Sequence, residues 1–339
     1  MDKLTEPLVD QTVTAQGVIE PPPPSGSHDT SWSVIERILF RFSFCYIVLY
    51  YAPRILEFLP GTGLLVNWIS YWWRLLVYEL AGVTASSQPT GSGDTFSAYI
   101  AELVILILSV AIGIIWSISD RRRGNYIRLH GWLRVLARYA LAFVLLSYAF
   151  AKVIPTQFIP LQNAQLAETY GRSSPMGLLW RFMGFSTAYT IFGGCAELLP
   201  AFLLLFRRTA LLGSVLAFIV MLNVVMLNFC YDVPVKLSSI NLLLLSAFLI
   251  LPDMSRLYQF FVLNAPTQPS DLREPELSNI SIRRTALVLK YAALVILLSL
   301  SIKASVGRYH HQRRALIAPS PYPLTERGFH WIQEAPYNR

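Results

Sequence analysis

Long apolar runs separated by short polar stretches make up most of the chain after residue 35. Seven of these runs are long enough to cross a bilayer as a helix, which takes roughly 20 residues. They predict membrane-spanning helices at approximately 36–55, 96–118, 133–154, 185–206, 210–230, 235–252 and 284–305. The pattern therefore predicts an all-α fold, a polytopic transmembrane helix bundle of about seven spans.

Two apolar stretches contain charged residues, and their position relative to the membrane has to be explained. Arg41 and Arg54 lie near the ends of the first predicted span, where long side chains can extend to the lipid headgroups. Segment 61–83 is interrupted by Arg74 and Glu79, and its Trp and Tyr residues are typical of the boundary between lipid and water. We interpret this segment as an extracytoplasmic interfacial helix, with an additional span as the alternative.

Polar stretches divide the chain into parts. We expect a disordered Pro-rich N-terminal tail at 1–34, two transmembrane helices with the interfacial helix at 35–132, a four-helix membrane core at 133–253, a cytoplasmic loop at 254–282, a last transmembrane helix at 283–306 and an extracytoplasmic tail at 307–339. Segment 155–184 is rich in Trp, Phe and Met, and we expect it to fold back against the outer mouth of the bundle. Asp94 or Thr95 is placed to cap the second span.

Composition and charge support a membrane protein. Hydrophobic residues make up 54% of the chain and charged residues only 14%, whereas soluble domains carry about 25% charged residues. The net charge is +8, but the arginines form short runs beside apolar spans, so we expect the lipid bilayer and no nucleic acid as partner. The basic connectors predict a cytoplasmic N-terminus in a bacterial plasma (inner) membrane.

The usual motifs of metal binding and catalysis do not occur in the sequence. Cys45, Cys195 and Cys230 are widely separated, so we expect no metal site, and the oxidation state of Cys230 stays open. Nothing resembles a Walker loop or a strand-linked dinucleotide fingerprint. Catalytic residues, and whether the protein is an enzyme, also stay open.

Glu197 is the most informative charge in the predicted spans. It lies about 12 residues from the outer end of its span, roughly 18 Å deep at 1.5 Å per residue. Because a charge at the bilayer centre costs about 3 kcal/mol on insertion scales, its carboxylate needs a donor. We predict Arg138 as its structural partner and expect Lys152 to lie too far away for a direct pair. A structural role and a role in binding substrate or a proton both stay open.

The turn "YDVPVKLSS" at 231–239 places Asp232 and Lys236 between two long apolar runs. We predict that it forms the mouth of an outward-facing polar pocket between the helices. The alternative is an ion pair that caps two helices at the interface. The candidate pocket residues are Tyr148, Lys152, Gln157, Glu197, Asn223, Asn228, Asp232 and Lys236.

The predicted four-helix core resembles the DoxX-like family of small membrane proteins. The resemblance is carried by a helix ending "SYAFAKVIP" and by "FGGCAELLPAFLLLFRRTALLGSVLAF", in which a Gly-rich span with a Glu is followed by an arginine turn and two further spans. It covers residues 133–253, and Glu197 corresponds to the family's Glu. Since some members are implicated in quinone-linked sulfur oxidation, the resemblance implies a quinone-facing, redox-associated protein.

Three functions are compatible with the sequence. The first is a redox-associated subunit that binds a quinone or another lipophilic small molecule in the polar pocket, with a redox partner protein. The second is a transporter of a small solute. The third is a non-enzymatic membrane scaffold that recruits a partner through 155–184 and the tail.

Overall fold

The computed structural model describes residues 31–57, 61–82, 92–161, 163–166, 168–268 and 280–317, and within these ranges the chain is helical with no strand. Residues 1–30 of the predicted tail at 1–34, the loop residues 269–279 and the tail from 318 onward lie outside the described residues. The helices are α1 (Val34–Leu56), α2 (Gly63–Ala81), α3 (Phe96–Ser119), α4 (Ile127–Val153), α5 (Asn163–Leu166), α6 (Pro175–Phe185), α7 (Thr187–Leu205), α8 (Ala210–Cys230), α9 (Lys236–Ile250), α10 (Met254–Phe261) and α11 (Ile280–Ile317).

Five stretches of helix in the described ranges are long and apolar enough to cross a membrane. They are Phe96–Ser119, Ile127–Val153, Thr187–Leu205, Arg207–Cys230 and Lys236–Phe261, and they confirm five of the predicted spans. The chain is therefore a multi-pass integral membrane protein. The first and last predicted spans form helices α1 and α11, and their membrane crossing stays a prediction. Helix α11 continues to Ile317, past the boundary predicted at 306.

Four of the spanning helices close into a bundle. Helix α4 packs on α7 and α9, and α8 packs on the same two helices from the other side. The interior is mostly apolar, and small side chains there allow close helix approach. Its most completely buried members are Ala137, Leu141, Leu145, Ala149, Ala201, Leu204, Ala217, Met221 and Leu245.

Helix α1 begins with a capping box, in which Ser33 and Glu36 satisfy each other's backbone N–H groups. The prediction that Arg41 reaches the headgroups is wrong, because Arg41 is only 4% exposed. Its guanidinium donates to the Tyr126 hydroxyl at 2.7 and 3.1 Å, to Ser117 Oγ at 3.0 Å and to the Asp120 carbonyl at 2.8 Å. The protein itself therefore supplies the polar partners that were expected from the lipid surface.

The bundle has two distinct ends. The basic end contains the arginine-rich turn 120–126, and the Arg134–Asp253 contact of 3.4 Å joins the start of α4 to the end of α9 there. The distal end contains the starts of α3 and α9, which are joined by a hydrogen bond of 2.8 Å from Gly93 N–H to the Pro234 carbonyl. These names are used below for the two ends.

Two segments pack at the distal end. Helix α2 places Trp73 and Val77 near Ala98 in the first turn of α3, and the interfacial position of 61–83 stays a prediction. In segment 155–184, Phe158 and α6 form a small apolar cluster with Val233 of the turn between α8 and α9. The predicted return of 155–184 onto the bundle is confirmed.

Candidate functional site

A buried ion pair joins α4 to α7. Lys152 Nζ lies 2.8 Å from both carboxylate oxygens of Glu197, so the ammonium donates to the whole carboxylate. The Lys152 side chain is 12% exposed and the Glu197 side chain 4%. Each charge is thereby neutralised by the other within an apolar bundle, where an isolated charge is costly. We call these two residues the membrane ion pair.

Glycine allows the two helices to approach closely enough for this pair. Gly194 lies one turn before Glu197, and a Cβ added there would lie 2.8 Å from the Val153 nitrogen and 2.9 Å from Lys152 Cβ. Such distances are shorter than van der Waals contact, so only glycine fits. Because side chains on a helix lean toward its N-terminus, Lys152 extends back into the bundle toward Glu197.

The predicted partner of Glu197 is wrong. Arg138 lies 14 residues before Lys152 on the same helix, about 21 Å away along its axis. Its guanidinium donates to the Tyr139 hydroxyl at 3.0 Å instead. The error came from placing the ends of the third and fourth predicted spans at one level. The first two turns of α7 extend beyond the end of α4, since Gly194 faces Val153.

Tyr148 forms the accessible side of the membrane ion pair. It lies one turn before Lys152, whose ammonium is 5.8 Å from the centre of the Tyr148 ring. Tyr148 is 37% exposed, so its side chain reaches the outside of the bundle from a position beside the pair. These three residues of the predicted pocket are therefore brought together. Gln157 lies in the turn after α4, where its N–H donates to the Ala151 carbonyl at 2.9 Å.

Asp232 and Lys236 form an ion pair of their own at the distal end. The two side chains approach to 2.6 Å at i,i+4 spacing, and the Asp232 side chain is 79% exposed. Asp232 also has a positive φ of 50°, which suits the tight turn between α8 and α9. The alternative reading of "YDVPVKLSS", an ion pair at the helix ends, is thus the arrangement in the structure for these two residues.

Asp94 has a role that the sequence reading missed. Its carboxylate accepts from the backbone N–H of Lys236 at 2.7 Å and from that of Leu237 at 3.2 Å, so it caps α9 from another part of the chain. Thr95 caps α3, with its hydroxyl accepting from Ala98 N–H at 3.2 Å. In the sequence, only the pair Asp94-Thr95 before an apolar run indicated a cap. This pair does not show which of the two residues caps which helix.

The two asparagines of the predicted pocket lie on different faces of α8. Asn228 is 5% exposed, and its Nδ2 has no hydrogen-bond partner among the described residues. Asn223 is exposed, and the hydrogen bonds that the structure gives to Glu197 come from Lys152. Five residues at about 100° each separate them by about 140° around the helix.

A second polar centre lies between α1, α3 and α9. Glu102 contacts the Tyr46 hydroxyl and accepts from Asn241 Nδ2 at 3.1 Å. The Tyr46 oxygen also lies 2.6 Å from Asn241 Oδ1. The sequence alone did not identify Tyr46 and Asn241 as the partners of Glu102. We call these three residues the Glu102 centre.

The described residues contain no group of three or more His, Cys, Asp and Glu side chains placed to hold a metal ion. Cys45 is buried, and Cys195 and Cys230 are exposed free thiols. His130 packs between Trp32 and the ring of Phe248.

Comparison with known proteins gives one informative likeness. "Uncharacterized protein YwoB" of Bacillus subtilis (strain 168) is 33% identical over 124 residues, which are 37% of this chain and 79% of that protein. No family model matches the chain. No solved structure matches it either.

Proposed function

We propose that this chain, which belongs to the same family as YwoB of Bacillus subtilis, binds a lipophilic small molecule, a quinone above all, at the membrane ion pair. The proposal rests on one observation: Tyr148 lies beside the buried Lys152–Glu197 pair and is exposed on the outside of a membrane-spanning helix. In a bilayer, that outside surface faces lipid.

Access from the lipid favours a ligand that dissolves in the bilayer. Both charges of the pair are almost fully covered, while the Tyr148 side chain beside them is more than one third exposed. A molecule diffusing in the lipid would meet Tyr148 first. Small-molecule sites in membrane proteins often lie between helices, with a few polar groups fixing the ligand's orientation.

The polar groups match the head of a quinone. Lys152 and Tyr148 carry hydrogen-bond donors that suit the carbonyl oxygens of a quinone ring, and Glu197 carries an acceptor that suits a hydroquinone hydroxyl. Gly194 fixes the distance between the two helices and so the position of the pair. Electrons would be exchanged with a redox partner protein, so this chain would serve as a redox-associated subunit.

The resemblance of residues 133–253 to the DoxX-like family supports the same proposal. The closed bundle of α4, α7, α8 and α9 is what a four-helix core of that kind would require. Glu197, which corresponds to the family's Glu, belongs to the membrane ion pair. We also propose that the basic end faces the cytoplasm of a bacterial cell, since arginine-rich connectors are retained on that side.

Thermal unfolding of the purified protein with a panel of quinones tests this function. A ligand present at 100 times its Kd would stabilise the folded state by about 2.7 kcal/mol, so the unfolding temperature of the wild type should rise. Tyr148→Phe should weaken this rise. Tyr189→Phe, at a similarly exposed tyrosine on α7, is the matched control and should keep it. An unchanged unfolding temperature with every quinone would contradict the proposal.

A further inference from the structure

With Glu102 ionised, the Glu102 centre has fewer hydrogen atoms than its oxygen–oxygen contacts need for hydrogen bonds. The Tyr46 oxygen lies against Glu102 Oε1 on one side and 2.6 Å from Asn241 Oδ1 on the other. A tyrosine hydroxyl has one hydrogen, and an ionised carboxylate has none. If Tyr46 donates to Asn241, its contact with Glu102 lacks a hydrogen.

The amide hydrogens of Asn241 cannot fill this gap. In the orientation of the structure, Nδ2 donates to Glu102 Oε1 at 3.1 Å and to the Leu237 carbonyl at 3.0 Å, so both hydrogens are used. Rotating the amide by 180° would let it donate to Tyr46, but Oδ1 would then face the Glu102 oxygen and the Leu237 carbonyl. Either orientation leaves two acceptor oxygens facing each other without a hydrogen.

The backbone holds this geometry in place. The Tyr51 hydroxyl donates to the Asn241 carbonyl at 3.1 Å, which ties the second turn of α9 to α1. Glu102 itself lies six residues after the start of α3, about 9 Å along the helix and inside a spanning segment. The backbone of Asn241 is therefore held against α1, the helix that carries Tyr46.

The charged groups near the centre are engaged elsewhere. On α1, the Arg54 guanidinium lies 3.8 Å from the centre of the Tyr50 ring and donates to the Tyr50 carbonyl. At the start of α9, Lys236 pairs with Asp232, and its backbone N–H is capped by Asp94. Within the described ranges no Lys, Arg or His forms an ion pair with Glu102, whereas Glu197 has Lys152.

We propose that the Glu102 centre is a proton-binding site: it takes one proton, held by the Glu102 carboxyl and shared with Tyr46 and Asn241. One added hydrogen completes the set of hydrogen bonds in the orientation of the structure, because the protonated carboxyl donates to Tyr46, Tyr46 donates to Asn241, and Asn241 donates to Glu102. The centre is then neutral, which removes the cost of a charge within the bilayer. This inference does not depend on the proposed quinone function, since it uses none of the residues of the membrane ion pair.

Infrared spectroscopy of the full-length protein labelled with ¹³C-glutamate tests the proposal. The wild type should show the carbonyl band of a protonated carboxylic acid. This band should disappear in Glu102→Gln and persist in the double variant Lys152→Met, Glu197→Leu, the control that removes the other membrane glutamate together with its counter-charge. Absence of the band from the wild type, or its loss in this double variant alone, would overturn the proposal.

Two further measurements keep the test decisive. Tyr46→Phe removes a hydrogen-bond partner but keeps Glu102, so the band should shift to the frequency of a less strongly bonded acid. An unshifted band in this variant would overturn the assignment, and the result does not require Glu102→Gln to fold.

Repeating the spectrum with sodium in place of a large organic cation should leave the band unchanged. Loss of the band on adding sodium would assign the site to a metal cation instead.

Discussion

Glu197 and Glu102 show two ways in which a carboxyl group is accommodated between membrane helices. Glu197 is neutralised by a lysine that extends back along α4, with both carboxylate oxygens bonded at 2.8 Å. Glu102 instead contacts a tyrosine hydroxyl and an asparagine amide. Replacement of each glutamate by glutamine should therefore have different effects at the two positions.

Removal of one charge of the membrane ion pair should be costly. Glu197→Gln leaves the Lys152 ammonium buried without its counter-charge, and breaking a buried pair in this way costs about 3–5 kcal/mol. Replacing both residues by apolar side chains of similar volume is often neutral. The double variant Lys152→Met with Glu197→Leu should therefore recover most of the lost free energy of unfolding.

Unfolding measured in mixed detergent micelles checks this prediction. The free energies of the wild type, Lys152→Met, Glu197→Leu and the variant with both substitutions form a cycle that isolates the coupling between the two residues. If the effects of the single variants simply add in the double variant, Lys152 and Glu197 do not interact in the folded protein.

At the scale of the helix, the close contact between α4 and α7 depends on the absence of a Cβ at Gly194. Gly194→Ala would push a Cβ to 2.8 Å from the Val153 nitrogen, so α7 has to move away from α4. We expect loss of stability by about 1–3 kcal/mol, the usual cost of overpacking. Gly193→Ala is the control, because its Cβ would meet only Met183 Cε at an ordinary 3.7 Å. Equal unfolding temperatures of the two variants would contradict this account of the helix contact.

The start of α9 depends on a cap from outside the helix. Asp94→Ala removes the acceptor of the Lys236 and Leu237 N–H groups, and loss of such a cap costs about 0.5–2 kcal/mol. Asp232→Ala removes only an exposed ion pair at the same helix end and should have a smaller effect. Denaturant titration of both variants measures the difference. A larger effect at Asp232 than at Asp94 would show that the turn is held by the ion pair instead.

For the whole molecule, apolar run length predicted the spanning helices well, because a helix in lipid must satisfy its own backbone and cover about 30 Å. It did not predict how the helices are staggered. The stagger of α7 against α4 decides that Lys152, and not Arg138, reaches Glu197. Likewise, the burial of Arg41 depends on Tyr126, a residue 85 positions away whose approach has no local sequence signal.

Topology is tested by labelling single cysteines in a cysteine-free background. Arg122 lies in the exposed arginine turn of the basic end, and Tyr170 lies exposed in the segment that packs at the distal end. Cysteines at 122 and 170 should react with a membrane-impermeant reagent from opposite sides of sealed vesicles. Reaction of both from one side would contradict the crossing of the membrane by α4.

The most direct test of the central claim compares quinone binding by the wild type and by the Lys152→Met, Glu197→Leu double variant. Native mass spectrometry after gentle extraction measures the bound molecule directly. Our account predicts a quinone adduct on the wild type and its loss from the double variant, which should still fold because both charges are removed together. An adduct retained equally by both proteins, or seen on neither, would contradict the assignment of the membrane ion pair as the binding site.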